Sequence, residues 1–548
     1  MEIIFIINRK KYITTIKNEK SFICQLLSEE NENKISIFDV DSNDFYMAFK
    51  DDVLNKENVL LALNYVFNVD IIQSQFELYN TINGLEFLGI LEENIKIFNM
   101  LKNIYWSLKT YFSPYISSEI MRHFGTYETL RMISCGLLLN YEGKLNVDDE
   151  KITQELLDNC SHCLPITKLI NCRNPNVNNV DFCAETLQEL WAYYKCKMDQ
   201  KGIEKATKLR VLCIMDNKNV TNIDFCAETL EELDVSFSDF DFDKKKEANS
   251  CKINQLGIEK ATKLKKLNAA GNSKVNDIGF CAETLEELRA SWLCGIDQNG
   301  IEKANKLKSL AALGNNKIIS VDFCAETLEE LDASYTCGID QNGIEKATKL
   351  IKLIVNDNMK IKDLYFCTET LQELFLGYSC DIEQNGIKNC TKLKILTISD
   401  NSKINNIDFC ASTLEELYAS GGNSLDQKGI EKASKLKKLY VYGNPKINSV
   451  DFCAETLVEL DAGNSCGIDQ KGIEKATKLK VLYVNNNPKI NNVDFCAETL
   501  ERFCATDLNC GIDEVGISKA KNLKWLSTRN NPKITTKSFS YLEPPYDI

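Results

Sequence analysis

Histidine is nearly absent from this chain: among 548 residues there are two, His123 and His162. Acid–base chemistry then falls to carboxylates, and nucleophilic or metal-binding chemistry to the 23 cysteines. Cys160, His162 and Cys163, with Cys172 close behind, have the donor types of a zinc tetrad. They stand just where the repeats described below begin, a place that buried cap cysteines would fill, and we expect no metal there. Asp39-Val40-Asp41-Ser42-Asn43-Asp44 starts like a calcium loop, but Asp44 replaces the required glycine and Lys50 the closing glutamate. A Gly-rich phosphate loop, a nucleophile elbow and a two-histidine zinc motif are all missing from the sequence. Glu189, Glu232, Glu287, Glu330, Glu373, Glu416 and Glu459 recur at one position and by themselves would suggest a catalytic or cation-binding surface. Lys168, Lys266, Lys352 and Lys438 hold the same place on intervening segments, so the two rows read as neutralising cross-strand pairs. We expect no cofactor and no enzyme activity.

Composition narrows the partner. Sixty-five basic against 79 acidic residues give a net charge of −14, which argues against duplex nucleic acid or an anionic membrane. No run approaches 18 uncharged apolar residues, and the apolar stretch Ile3 to Ile7 leads into Asn-Arg-Lys-Lys without the layout of a signal peptide. A cytoplasmic protein with reduced thiols is the expectation.

What must position these residues is a repeat. The pair Phe-Cys begins at Phe182, Phe225, Phe280, Phe323, Phe366, Phe409, Phe452 and Phe495, in steps of 43 residues apart from one of 55. The extra 12 residues, "DFDFDKKKEANS", read as a solvated loop. Each module splits into two related halves. One runs Leu350-x-x-Leu353-x-Val355-x-x-Asn358-x-x-Ile361; the other runs Leu328-x-x-Leu331-x-Ala333 and then Cys337-Gly338-Ile339. A period of this size means a solenoid. In the first kind of half, the ninth position is Asn174, Asn217, Asn272, Asn315, Asn358, Asn401, Asn444, Asn487 and Asn531. The other kind holds Cys196, Cys251, Cys294, Cys337, Cys380, Asn423, Cys466 and Cys510. Asn423 in a cysteine place makes the two residue types equivalents, a buried structural ladder satisfying backbone groups. Like cysteines stand two coils apart, roughly 10 Å at ~4.8 Å per strand, too far for a disulfide. "IDQNGIEKA" and "VDFCAETL" are expected to be short helical turns, each opened by a capping Asp.

These motifs are similar to those of the leucine-rich-repeat family, over residues 164–540 and about 17 half-modules, with residues 541–548 as a tail. The resemblance implies an α/β solenoid whose parallel strands line a concave face, and a protein-binding role.

Comparing the repeats with one another shows what is free to vary. The position after the inward leucine is Trp191, Cys213, Asp234, Asn268, Arg289, Ala311, Asp332, Ile354, Phe375, Thr397, Tyr418, Tyr440, Asp461, Tyr483, Cys504 and Ser527. One exposed row diversified on a constant scaffold is what recognition needs. Tyr418, Tyr440, Tyr442 and Tyr483 should form one aromatic patch, Trp191 with Tyr193 a smaller one, and Trp525 stands near the end. With Asp234, Arg289, Asp332, Phe375 and Asp461 these make the expected partner-binding face.

Residues 1–163 lack the period. "EIIFIINRKKYITT" reads as a β-hairpin, "SFICQLLSEEN" as a helix and "KISIFDVD" as a strand; residues 95–163 read as amphipathic helices capping the solenoid. With Phe38-Asp39-Val40-Asp41-Ser42-Asn43-Asp44-Phe45 before a helix and Gly84-Leu85-Glu86-Phe87-Leu88-Gly89-Ile90 later, residues 1–94 resemble a BTB/POZ domain of the tetramerisation type. That resemblance implies self-association or docking to a cullin-type ubiquitin ligase. Arrays with "CGIDQNGI"-like units behind such domains resemble those of large DNA viruses of protists, which implies the host cytoplasm. Two alternatives stay open: a plain protein-binding module in which residues 1–160 are only a cap, and an enzyme in the N-terminal region.

Overall fold

The computed structural model describes residues 2–7, 10–15, 36–39, 127, 130, 143–160, 165–194, 196–237, 252–422 and 424–534. The chain forms two compact units, residues 1–209 and 210–548. Among the described residues no helix is long and apolar enough to cross a membrane.

In the first unit, β1 (Glu2–Ile7) and β2 (Lys10–Thr15) pair antiparallel, Glu2 opposite Thr15, and β3 (Ser36–Asp39) lies parallel on the other side of β1. The expected BTB-like helices, most of the expected cap, the tail, and His162, Cys163, Cys251 and Asn423 lie outside the described residues. Three parallel strands follow: β4 (Gly143–Asn146), β5 (Ile166–Asn171) and β6 (Glu189–Ala192), with Leu145, Leu169 and Leu190 buried side by side. The coiled sheet therefore starts about 20 residues before the repeat pattern does. The β4 coil carries Glu142 and Glu150 where later coils have leucine and asparagine, so it has no repeat signature. Asn174 nevertheless donates into it, to the carbonyls of Val147, Asp149 and Ile152, each at 2.8 Å.

The second unit is a solenoid of fifteen parallel strands, from β7 (Val211–Cys213) through β8 (Glu232–Asp234) and β9 (Lys266–Asn268) to β21 (Trp525–Ser527). Each has three residues, and the middle one, Leu in every case but Phe503, is buried. The register never slips, so flanking side chains form unbroken rows across the sheet.

Opposite the sheet two kinds of turn alternate. Gln298–Ile301 and its equivalents are single α-helical turns, and in most of them the preceding Asp caps the glycine amide: Asp297 to Gly300 and Asp340 to Gly343 at 3.0 Å, with Asn254 taking the place once and Glu383 once without a cap bond. The second kind, such as Asp322–Cys324, is a 3₁₀ turn, and here the capping expectation fails. Asp322 is the first residue inside the turn, Val321 takes the cap position, and no side-chain cap bond forms. The carboxylate instead meets a lysine of the next coil, Lys346, at 2.5 Å.

Coils are joined by side-chain ladders. Asn315 donates to the carbonyls of Ala290 (2.8 Å) and Ile296 (3.0 Å) in the preceding coil and accepts from the amide of Lys317. Asn358 and Asn487 repeat the pattern on Ala333 and Ala462. Cys466 takes only the accepting half of this role, from the amide of Ile468 at 3.4 Å. Backbone geometry explains why. In an Asn coil the amide of Asn315 already bonds the Ala312 carbonyl, so the next coil's residue at this place needs no donor. In a Cys coil the amide of Cys294 bonds Ser291 instead, and the Ala290 carbonyl is met by Asn315. Gln298, whose place in "IDQNGI" suggests nothing by itself, forms a third ladder: its Oε1 accepts from the amides of Ile319 and Ser320.

Candidate protein-binding face

The variable row lies on the solvent face of the sheet. Its members are strict neighbours: Arg289 beside Ala311, Ala311 beside Asp332, Tyr418 beside Tyr440, Tyr440 beside Asp461, and Asp461 beside Tyr483. Two residues earlier, across the buried leucine, runs the charged row. Lys266 meets Glu287 at 3.1 Å, Lys352 meets Glu373 at 3.5 Å and Lys438 meets Glu416 at 2.9 Å. In the first unit Lys168 meets Glu189 at 2.5 Å. All of these carboxylates are at least partly exposed, and none departs from neutralising pairing toward a metal cluster; among the described residues no such cluster occurs.

Tyr418 and Tyr440 are half-buried and stack, ring centroids 4.6 Å apart at 14°. The Tyr418 hydroxyl donates to Glu416 at 3.2 Å and that of Tyr440 to Glu459. Burial and these carboxylates push both phenols up, so they stay neutral. The expected four-tyrosine patch is laid out differently. Tyr483 stands two strands beyond Tyr440 with Asp461 between them, and Tyr442 lies past the end of its strand, 42% exposed and against Gly463. Burial, opposed by a hydrogen bond from the Gly463 amide, raises the Asp461 carboxyl to about 6.

The other acidic members are differently placed. Asp234 accepts from the Ser236 hydroxyl at 2.6 Å and from Asn268, and Asp332 accepts from the Ser334 hydroxyl at 2.6 Å. Their carboxylates are tied to their own strand ends. Arg289 is exposed and has no ion pair among the described residues. It stands with Trp292 and Asp332 on a groove of 720 Å³ floored by Ala311 and Ser309. Phe375 lies under the Lys352 ammonium (5.6 Å) and Trp525 under the Arg502 guanidinium (5.4 Å). In the first unit Trp191 lies edge-on to Tyr193 at 6.5 Å, beneath Lys168 at 5.2 Å.

A second row of aromatics escaped the reading of the sequence. Trp292, Tyr335 and Tyr378 follow each other at 43-residue steps just past their strands, all with φ near +57°. Trp292 and Tyr335 are 5.5 Å apart, and the Trp292 ring covers Gly314 so closely that a Cβ there would come within 2.5 Å of it. Tyr378 is 60% exposed. The signal was present at the same step, where Gly421, Asn464 and Asp507 mark a left-handed position.

All 19 cysteines among the described residues are free and buried. Desolvation raises the thiols of the repeat cysteines, to about 12 for Cys324 and about 11 for Cys337, which disfavours thiolate chemistry there at neutral pH.

No protein-family model and no curated protein matches the chain. Among solved structures it is similar to the functional domain of InlJ from Listeria monocytogenes, which includes a cysteine ladder. The identity is 16% over 70% of this chain and 76% of that one, with a TM-score of 0.35. An internalin, inlF, from Listeria monocytogenes is 16% identical over 69% of this chain and 90% of that one, TM-score 0.29. A leucine-rich-repeat protein of Leptospira interrogans is 16% identical over 68% of this chain and 91% of that one, TM-score 0.34.

Proposed function

We propose that the chain is a non-enzymatic interaction scaffold that holds a protein partner on the concave, sheet-lined face of its solenoid. One observation carries this reading. In the second unit the buried leucine row (Phe503 aside) and the asparagine ladder stay constant while the in-register row on the solvent face changes from Asp234 through Arg289, Asp332 and Phe375 to Tyr418, Tyr440, Asp461 and Tyr483. Aromatics placed on that row supply large contact area at low entropic cost. Trp525 extends the proposed surface, and Trp191 with Tyr193 forms a separate proposed contact patch in the first unit.

The proposal includes a second role for residues 1–94: self-association, or recruitment of a cullin-type ubiquitin ligase, making the whole chain a cytoplasmic adaptor, of viral origin if the resemblance of its repeats holds. What supports this part is the resemblance to BTB/POZ domains together with the sheet order β2-β1-β3, and no residue is assigned to it.

The test is affinity capture from host-cell lysate with the wild-type chain and with a Tyr418/Tyr440/Tyr442/Tyr483→Ser variant shown to be folded. Any protein captured is then purified and its binding measured directly. A partner held by the first and lost by the second carries the reading; identical capture by both sinks it. Light scattering separates the adaptor from a plain repeat module, because self-association raises the mass above one chain.

A further inference from the structure

We propose that the step Tyr440–Asp461–Tyr483 is a receptor for one cationic side chain, arginine or lysine, presented by the protein partner. The inference rests on the partner-binding reading of the sheet face and specifies the chemistry recognised there.

Four observations converge. First, the register sets a carboxylate between two neutral phenol rings on adjacent strands, Tyr440 beside Asp461 and Asp461 beside Tyr483. At ~4.8 Å per strand the rings stand roughly 10 Å apart at their backbones, room for one ammonium or guanidinium between them. Second, the molecule shows its own preference for this arrangement. On the same face Lys352 lies over Phe375 and Arg502 over Trp525, at 5.6 and 5.4 Å. No lysine or arginine among the described residues lies over Tyr440 or Tyr483, so these aromatics await a cation from elsewhere.

Third, the charge pairing of the face is incomplete at this step. Lys438 stands beside Glu459 but bonds Glu416 instead, and Val481 stands on the other side of Glu459. Neither Glu459 nor Asp461 makes an ion pair among the described residues. Fourth, Asp461 lacks the hydroxyl that ties its equivalents down. Ser236 and Ser334 each donate to Asp234 and Asp332 at 2.6 Å; the corresponding residue beside Asp461 is Gly463, which offers only its amide, at 3.0 Å. Asp461 Oδ1 takes that amide alone, and its Oδ2, like that of Asp332, has no hydrogen bond among the described residues. Donation by the Tyr440 hydroxyl to Glu459 also enriches its ring in electrons, which strengthens attraction to a cation. Desolvation of Asp461, visible in its raised pKa, adds to what an incoming positive charge relieves.

The experiment uses the full chain labelled with 3-fluorotyrosine, with the Tyr440 and Tyr483 signals assigned through Tyr→Phe variants. N-acetyl-arginine amide, N-acetyl-lysine amide and the neutral N-acetyl-norleucine amide are titrated in turn. We expect a saturable shift of both signals with a cationic probe, none with norleucine, and about fivefold or greater weakening in the isosteric Asp461→Asn variant. Equal shifts with norleucine, no shift at all, or an unchanged Asp461→Asn variant would overturn the proposal. Once a partner is in hand, two failures are told apart. A partner lost by the four-tyrosine variant but bound normally by Asp461→Asn leaves the face as the binding surface and removes only the cation. A partner held equally by both removes the face as well.

Discussion

Tyr418 and Tyr440 stack ring on ring across neighbouring strands, 4.6 Å between centroids and 14° between planes. Parallel strands in strict register bring like positions to about the strand spacing, so two tyrosines here have little choice but to stack. The pair should be coupled by about 0.5–1.5 kcal/mol beyond the area each ring buries. A Tyr418→Ala, Tyr440→Ala double-mutant cycle checks this, with hydrogen exchange of the Ala419 and Val441 amides reporting local stability. Strict additivity would mean that the rings touch without interacting.

The asparagine ladder should be far less tolerant than the cysteine ladder. Asn315→Ala leaves the Ala290 and Ile296 carbonyls buried without donors, a loss of about 2–4 kcal/mol. Asn315→Cys should recover little of this, because a thiol offers one weak S–H donor where two amide donors are missing. Cys337→Ala removes one sulfur from a packed site and should cost about 1 kcal/mol. Denaturation of the three variants decides; equal losses would contradict the account of why the two residue types alternate.

The solenoid was legible in the sequence because each coil repeats the needs of the last: an inward leucine for the core and an asparagine wherever the previous coil leaves two carbonyls unmet. The β4 coil was illegible because Glu142 and Glu150 stand where later coils have leucine and asparagine, although Leu145 and Val147 are buried like their equivalents. The row Asp234 to Tyr483 could be picked out from internal comparison alone. Which of its members are already satisfied could not, because that depends on what stands two residues later: Ser334 for Asp332, Gly463 for Asp461. In the Trp292, Tyr335 and Tyr378 row the aromatics themselves give no sign of a positive φ; the sign lies in Gly421, Asn464 and Asp507, which continue the same 43-residue step.

Glycine at the third position of each helical turn is required by the neighbouring coil. A Cβ at Gly300 would lie 2.0 Å from the Asn276 carbonyl oxygen, and at Gly343 2.1 Å from that of Ile319. Backbone on both sides leaves nothing to yield, so Gly300→Ala should destabilise by about 3 kcal/mol or more. Gly422→Ala, which meets nothing within 4 Å, is the control and should stay within about 0.5 kcal/mol of wild type. Thermal melts of the two variants make the comparison.

Asp461 should make the protein more stable as it is protonated. Its carboxyl is raised to about 6 in the folded chain, chiefly by burial, against an ordinary value of 3.8. Between those values the native state binds more protons than the unfolded one, so this group's contribution falls as pH rises from about 4 to about 6 and is fully unfavourable above. The groups that face it are Glu459 on its own strand, Tyr440 and Lys438 on one side, Tyr483 and Cys504 on the other, and Cys466 beyond the turn. Lysine-bonded carboxylates such as Glu415 and Glu501 move oppositely, but they are exposed and screened. Asp461→Asn, a neutral isostere of the protonated acid, isolates the effect. The variant should be more stable than wild type at pH 7 by on the order of 1–3 kcal/mol, and the advantage should shrink as pH falls through about 6 and vanish only below 3.8. A variant no more stable at pH 7 would mean that the carboxylate is well solvated. A gain there would mark Asp461 as a residue kept at a cost to the fold, the pattern expected of a site held ready for a positive charge from outside the chain.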